Sequence, residues 1–176
     1  MLVRVIQNPF FNSSNNIISL WMVSNWIQEE CISINGDDLF KKSVIDSLIN
    51  TSGDVVMAID RKDEYDSDDM LVITDGNLIK SVGKDLDRNK ANGESVGIIK
   101  YYKRGLILIN ETLDLLLQDE KNHQVFYLSA LQEIMNKGFP VVGCEVGPND
   151  WAEIDFHPDV SDVRKKVDLF VKRIQH

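Results

Sequence analysis

Short apolar runs alternate with stretches of helical periodicity along the sequence, and this alternation constrains the fold more than any other feature. Five runs have the length and β-branched content of strands and lie at residues 2–6, 31–34, 54–59, 95–101 and 141–146. Apolar residues at helical spacing occur between and after them, at residues 17–30, 39–49, within 106–118, within 125–137 and from 159 onward. Strands that alternate with helices predict an α/β fold with a mostly parallel sheet.

One pair of apolar runs interrupts this alternation. Residues 70–74 and 78–82 flank the dipeptide Asp75-Gly76, and an Asp-Gly pair suits the tight primed turn of a hairpin. The sequence therefore predicts a β-hairpin inserted into the sheet. The acidic residues 60–69, which precede this hairpin, are predicted to form a solvated loop.

The composition is that of one globular domain. The chain has 176 residues, of which 43% are hydrophobic, and it contains no repeat or linker, so a single domain spanning residues 1–176 is expected. The formal net charge of −9 argues against nucleic acid or an anionic membrane surface as a partner. Cys31 and Cys144 lie in apolar runs and are predicted to be buried thiols. We find no apolar stretch of transmembrane length and no secretory pattern, and we expect a cytoplasmic location.

Two acidic segments each follow a predicted strand. The segment NGDD occupies residues 35–38, and WAEID occupies residues 151–155. In an open α/β sheet, ligands collect beyond the carboxyl ends of strands, so the two segments could together hold one divalent ion. The alternative is that both are ordinary polar turns, because Asp and Gly form turns after strands in many proteins.

Five motifs occur in an order and approximate spacing that point to a known family. They are NNIISLW at 15–21, NGD at 35–37, SVGK at 81–84, GESVGI at 93–98 and WAEID at 151–155. Together they resemble the sugar-phosphate nucleotidyltransferase superfamily, and most closely its phosphocholine cytidylyltransferase-like branch. The resemblance covers nearly the whole chain. It implies a nucleotide-diphospho-sugar transferase fold, which is Rossmann-like.

The resemblance also implies an activity. Enzymes of this family transfer CMP from CTP, or a nucleotidyl group from another nucleoside triphosphate, to phosphocholine or a similar small phosphomonoester, and release pyrophosphate. A sugar phosphate or an aminoalkylphosphonate is the alternative acceptor. Such transfer depends on positioning and charge neutralisation rather than on a side-chain nucleophile. Mg²⁺ is the expected cofactor, because it commonly takes one or two protein carboxylates and fills its shell with water and substrate phosphates.

Candidate site residues follow from the resemblance. The family's metal-binding aspartates map onto Asp37 and Asp155, and an acceptor-phosphate contact maps onto Lys84; these three form the candidate catalytic set. The candidate substrate-binding residues are Asn16, Ser19, Glu94, Tyr127, Trp151 and Glu153.

Each candidate also has a purely structural interpretation. Trp151, Tyr127 and Tyr101 would suit a cage for a quaternary ammonium group through cation–π attraction, but large aromatic residues are more often part of the core. Asn16 and Ser19 would then serve only to cap a helix.

One expected feature of the family is missing from these 176 residues. Family members hold the triphosphate with a strand, a glycine-rich loop that ends in arginine, and a following lysine; that βαβ unit is about 30 residues or longer. We therefore expect an N-terminally truncated nucleotidyltransferase or one half of a split enzyme. In that case Val3, Val5 and Ile34 would lose apolar neighbours. The alternative is a non-catalytic remnant, or a subunit that pairs with its missing half or with a second copy.

Overall fold

The computed structural model describes residues 3–27, 29–147 and 149–154. Within these ranges the helices are α1 (Asn16–Ser24), α2 (Lys42–Asn50), α3 (Arg104–Leu116) and α4 (Leu128–Asn136), with a 3₁₀ helix at Glu120–Gln124. The strands are β1 (Cys31–Ile34), β2 (Asp38–Phe40), β3 (Val55–Asp60), β4 (Leu71–Asp75), β5 (Leu78–Gly83), β6 (Gly93–Tyr101), β7 (Val141–Glu145) and β8 (Trp151–Glu153). None of the described helices is long and apolar enough to cross a membrane.

Six strands form one sheet in the order β1-β6-β3-β7-β5-β4, and β2 pairs with β8 in a separate two-stranded sheet. Strand β4 also pairs with β6, so β6, β3, β7, β5 and β4 form a closed circuit of pairings. Among the described strands only β3 and β7 pair in parallel. The prediction of a mostly parallel sheet is therefore wrong for the described part of the sheet. Apolar periodicity reports which residues are buried, but it does not report the direction in which distant strands pair.

The remaining strand predictions agree well with the structure in the middle of the chain. The runs at 31–34, 54–59, 95–101 and 141–146 correspond to β1, β3, β6 and β7, with ends that agree within two residues. Strands β4 and β5 pair in antiparallel fashion around Gly76, which has a positive φ of 60°.

Three predicted elements are corrected. Residues 3–6 form no strand, because they have no partner strand among the described residues, and Val3 and Val5 are 71% and 87% exposed. Helix α1 ends at Ser24, since the chain must turn there to enter β1. Helix α2 begins only at Lys42, because residues 38–40 pair with β8 instead. The helix predicted from residue 159 lies outside the described residues.

The core lies on both faces of the sheet. Side chains alternate along a strand, so Val55 and Met57 of β3 pack on the face covered by α1, α3 and α4. Val56 and Ala58 pack on the other face, with Val44 of α2. The sheet is therefore covered by helices on both sides, as an α/β architecture requires.

The two cysteines differ in their environment. Cys144 is buried, as predicted, whereas Cys31 at the start of the edge strand β1 is only partly buried. Burial still raises the pKa of the Cys31 thiol, which makes it a weak nucleophile at neutral pH.

Candidate functional site

A cleft of about 1120 Å³ is bordered by α1, the edge strand β1, strand β6 and strand β8. Its lining includes every candidate site residue that the structure describes, namely Asn16, Ser19, Asp37, Lys84, Glu94, Tyr127, Trp151 and Glu153. Asp155 lies outside the described residues. The residues that the resemblance singled out are therefore gathered in one place, although their roles stay predictions.

The two acidic segments meet at this cleft through strand pairing. Strands β2 and β8 are antiparallel, and Asp38 lies directly opposite Glu153. The pairing continues beyond β8, where the Ile154 backbone N–H donates to the Asp37 carbonyl oxygen at 3.1 Å. Carboxylate oxygens of Asp37, Asp38 and Glu153 lie within 4.8 Å of one another. The predicted pairing of Asp37 with Asp155 in one metal site stays a prediction.

This carboxylate cluster, Asp37, Asp38 and Glu153, has the donor chemistry of a Mg²⁺ site. Like charges directly opposite each other on paired strands are destabilising, and a divalent cation offsets that repulsion. Mg²⁺ binds carboxylate oxygens and needs only one or two of them from the protein. The sequence analysis did not assign Asp38 as a ligand. The Asp37-Asp38 doublet was the available signal, but only the β2–β8 pairing shows that Glu153 joins it.

Gly97 makes room for the acidic segment. It lies in β6 with a positive φ of 80°, beside a register shift in the β3–β6 pairing. A Cβ atom at this position would lie 2.7 Å from Asn35 Cγ and 2.8 Å from Asp38 Oδ2. The Asn35 backbone N–H donates to the Gly97 carbonyl oxygen at 3.2 Å. Glycine at position 97 therefore lets both side chains fold onto β6.

Tyr127 lies close enough to Asp38 and Asp37 for their charges to act on its phenol. Burial, together with the charges of Asp38 and Asp37, holds the pKa of its phenol well above the ordinary value. Its hydroxyl is thus protonated throughout the physiological range and can act as a donor. The Tyr127 backbone N–H donates to the Asn16 side-chain oxygen at 2.9 Å, which ties helix α1 to this residue.

The interpretation of Asn16 and Ser19 as helix caps is wrong, because both lie within α1 and the residue before them is the cap. Asn15 is the N-cap, and its side chain accepts from the Asn16 backbone N–H at 2.7 Å. The hydroxyl of Ser19 accepts from the side chain of Asn8 at 3.0 Å. Both Asn16 and Ser19 still line the cleft, so these contacts do not exclude a substrate-binding role.

The aromatic candidates Tyr101, Tyr127 and Trp151 all line the cleft, and their role as an ammonium cage stays a prediction. Tyr101 and Tyr127 are 1% and 6% exposed and pack into the core. Trp151 is partly buried, and its Nε1–H donates to Asp60 Oδ2 at 2.9 Å.

The candidate Lys84 is exposed, and its ammonium lies 5.0 Å from the centre of the Phe126 ring.

Lys62, Asp69 and Glu94 form an ion-pair cluster that lines the cleft at the start of β6. Lys62 Nζ lies 2.8 Å from carboxylate oxygens of both Asp69 and Glu94, and Glu94 is 4% exposed. Asp60 is also buried, at 6% exposure. The prediction of a solvated loop at residues 60–69 is therefore wrong at both of its ends. No local signal indicated this arrangement, because Glu94 lies 32 residues after Lys62 in the sequence (94 − 62).

Burial raises the pKa of Glu94 from its ordinary 4.5 to about 7, against the lowering effect of Lys62. A carboxyl group whose pKa is raised by folding stabilises the protein below pH 4.5 and loses that contribution as the pH rises to 7. We therefore compare the free energy of unfolding of wild type with that of Glu94→Gln at each pH. Wild type is expected to lose roughly 1–3 kcal/mol relative to the variant as the pH rises from 4.5 to 7. Urea unfolding at several pH values measures this difference. The exposed Asp68, changed to Asn, is the control, and a difference between wild type and Glu94→Gln that does not change with pH would contradict the burial effect.

The cleft as a whole is acidic. Its described lining contains seven carboxylate residues and two lysines, namely Asp37, Asp60, Asp66, Asp68, Asp69, Glu94 and Glu153, with Lys62 and Lys84. A surface of this sign repels phosphate groups unless a cation is bound. A bound cation would therefore favour the binding of phosphate groups at this cleft.

Comparison with known proteins reveals structural likeness only. No protein-family model and no curated protein matches the sequence. The inositol-1-phosphate CTP transferase from T. maritima is similar with a TM-score of 0.75 and 21% identity, over 93% of this chain and 65% of that one. The CTP:phosphocholine cytidylyltransferase from Streptococcus pneumoniae has a TM-score of 0.75 and 17% identity, over 94% and 69% of the two chains.

A third structure, of a protein assigned as a glucose-1-phosphate thymidylyltransferase from Bacillus anthracis, has a TM-score of 0.69 and 11% identity, over 96% and 64% of the two chains. The present chain thus spans about two thirds of the length of each of these proteins. At such low identities the likeness establishes the fold and leaves the activity open. The chain has the α/β fold of these nucleotidyltransferase structures, with a mixed sheet.

Proposed function

We propose that this chain forms the metal- and acceptor-binding part of a nucleotidyltransferase. The reaction is transfer of CMP from CTP, or of a nucleotidyl group from a similar triphosphate, to a small phosphomonoester, with release of pyrophosphate. The observation that carries the proposal is the carboxylate cluster of Asp37, Asp38 and Glu153. Asp37 and Glu153 of this cluster line a large cleft, in a fold shared with cytidylyltransferase structures. Phosphocholine is the acceptor that the sequence resemblance favours, with a sugar phosphate or an aminoalkylphosphonate as alternatives.

The roles of the residues follow from their positions. The carboxylate cluster, together with Asp155, would hold Mg²⁺, which neutralises phosphate charge when it is bound. Lys84 lines the same cleft and would pair with the acceptor phosphate. No side-chain nucleophile is needed, because the acceptor phosphate attacks the α-phosphate of the triphosphate directly and pyrophosphate leaves. The work of the chain is therefore to position two phosphate-bearing substrates.

The triphosphate itself needs donors that these 176 residues do not contain. No glycine-rich loop ending in arginine occurs in the sequence, and such loops hold phosphates through backbone N–H groups. We propose that residues outside this sequence, on a longer chain or on a partner, supply that loop. Within the part of the chain that the structure describes, strand β1 pairs only with β6, and its last residue, Ile34, is 45% exposed. This supports the proposal, because an open edge can pair with a further strand. The second candidate is a non-catalytic subunit, which the missing loop favours.

Metal binding is the first test of this proposal. Titration with Mn²⁺, which like Mg²⁺ prefers oxygen ligands, is expected to show one site in the wild-type chain. Asp37→Asn is expected to weaken that site about tenfold or more, equivalent to ~1.4 kcal/mol, because it removes a charged ligand. Calorimetry or the paramagnetic relaxation of water measures the affinity. Asp68→Asn, which removes a charge from the same cleft but outside the cluster, is the matched control and should change little. A wild-type chain that binds no Mn²⁺ would rule out the proposed metal-dependent transfer.

A further inference from the structure

The cleft wall beside Trp151 contains a buried carboxylate that the proposed chemistry does not use. Asp60 is the last residue of β3 and lies directly opposite Glu94 on β6, so both side chains stand on the same face of the sheet. Both residues line the cleft, although only 6% of Asp60 and 4% of Glu94 are exposed. This wall is therefore part of the substrate site as well as of the core.

The two carboxylates differ in how they are satisfied. Glu94 is paired with Lys62 at 2.8 Å. In Asp60, Oδ2 accepts a hydrogen bond from Trp151 Nε1 at 2.9 Å, whereas Oδ1 has no hydrogen-bond partner among the described residues. A buried carboxylate oxygen without a donor is energetically costly. Trp151 thus orients a carboxylate that still lacks one hydrogen bond.

Asp60 and the carboxylate cluster lie near each other along β8. Side chains two residues apart on a strand point the same way, and the Cα atoms of Trp151 and Glu153 are therefore about 7 Å apart. Trp151 contacts Asp60, and Glu153 belongs to the cluster. A small phosphomonoester with its phosphate near the cluster can therefore extend its other end toward Asp60.

We propose that Asp60 determines acceptor specificity, by accepting a hydrogen bond from an N–H or O–H group at the end of the acceptor that is distant from the phosphate. This inference rests on the proposed function, and it replaces phosphocholine as the favoured acceptor with a phosphomonoester that carries an N–H or O–H donor at that end. The surrounding charge favours an ammonium over a neutral hydroxyl, because the carboxylates of Asp66 and Asp69 line the same cleft. A trimethylated ammonium has no N–H and cannot supply the missing hydrogen bond.

Binding of two matched acceptors to the 176-residue chain tests this proposal. Phosphoethanolamine and phosphocholine differ only in their N-methyl groups, and glycerol 3-phosphate provides a hydroxyl donor. With saturating Mg²⁺ and no nucleotide, calorimetry is expected to show phosphoethanolamine bound about tenfold or more tightly than phosphocholine, since a hydrogen bond to a charged group is being compared with none. Glycerol 3-phosphate should lie between them.

Two variants assign the preference to Asp60. Asp60→Asn keeps an oxygen for Trp151 but can present an N–H₂ group to the cleft, and it is expected to reduce the ratio of the two affinities to about one. Trp151→Phe, which removes only the orienting donor, should lower the same ratio without changing the charge. Asp68→Asn removes a charge from the same wall and should keep the wild-type ratio.

The proposal is overturned if wild type binds phosphocholine as tightly as phosphoethanolamine, if Asp60→Asn keeps the preference, or if no phosphomonoester binds at all. Because the ratio is measured without nucleotide or turnover, it is independent of catalysis. A preference for donor-bearing acceptors in a chain that never transfers a nucleotidyl group would support the Asp60 site and contradict the proposed activity. Nucleotidyl transfer with a preference for phosphocholine would support the proposed activity and contradict the Asp60 site.

Discussion

The 176-residue chain alone is expected to release pyrophosphate from CTP and a phosphomonoester at least about a hundred-fold more slowly than a completed enzyme. Loss of a single preorganised donor to a developing oxyanion costs roughly a hundred- to a thousand-fold in rate, and here an entire phosphate-binding loop is absent from the sequence. The carboxylate cluster is proposed to hold the metal, but the acidic cleft offers few donors to a triphosphate. The comparison is made by coupled pyrophosphate assay, with saturating Mg²⁺.

The completed form carries an N-terminal βαβ unit with a glycine-rich loop and arginine, fused to this chain or added as a separate chain. In that form Asp37→Ala and Asp155→Ala should each abolish transfer, because each removes a proposed metal ligand. Asp68→Asn, outside the cluster, should leave most of the activity. Rapid turnover by the bare chain would mean that another part of it binds the nucleotide. No turnover in any completed form would favour the non-catalytic subunit.

The second large effect is expected from Gly97→Ala. The backbone at residue 97 has a positive φ of 80°, where a non-glycine residue costs about 1–3 kcal/mol. The added methyl group would also overlap the side chains of Asn35 and Asp38. Because Asp38 belongs to the carboxylate cluster, the substitution should displace a proposed ligand. We expect Mn²⁺ affinity to fall about tenfold or more, by ~1.4 kcal/mol, alongside the loss of folding stability.

A double-mutant comparison separates strain from displacement. Asn35→Ala removes the nearest obstacle, so combining it with Gly97→Ala should restore part of the metal affinity, while the cost of the backbone conformation stays. Gly36→Ala is the control, because a Cβ there meets no atom within 4 Å. Urea unfolding and Mn²⁺ titration measure the two effects separately. Unchanged metal affinity in Gly97→Ala would show that Asp38 does not depend on this glycine.

Much of the fold could be predicted from local patterns. The β3 segment is a continuous apolar run because both of its faces are buried, and Gly138 marks the end of α4 with a positive φ, as expected for a helix stop. Residues 39 and 40 of the short strand at 38–40 were predicted as the start of a helix. Its apolar spacing suited a helix, and only pairing with the distant β8 stabilises it as a strand. Local periodicity cannot report such a partner.

The candidate site likewise has residues that the sequence indicated and contacts that only the structure shows. The resemblance placed Asp37, Lys84 and Glu94 in one site, and the structure brings all three to the same cleft. Neither motif nor spacing indicated that Lys62 would be held by Glu94, or that Trp151 would orient Asp60. These contacts join residues 32 and 91 positions apart (94 − 62 and 151 − 60). They depend on the sheet order rather than on any local signal.

The sequence by itself determined the α/β class, the buried strands and the two acidic segments, because burial periodicity and turn chemistry are local properties of the chain. The tertiary structure alone decided that most described strands run antiparallel, that Asp38 and Glu153 face each other, and that Gly97 accommodates them. Those outcomes depend on which distant segments pair and in which register. That choice is made by the packing of the whole domain, since long-range pairing is favourable only when both faces of the sheet are covered.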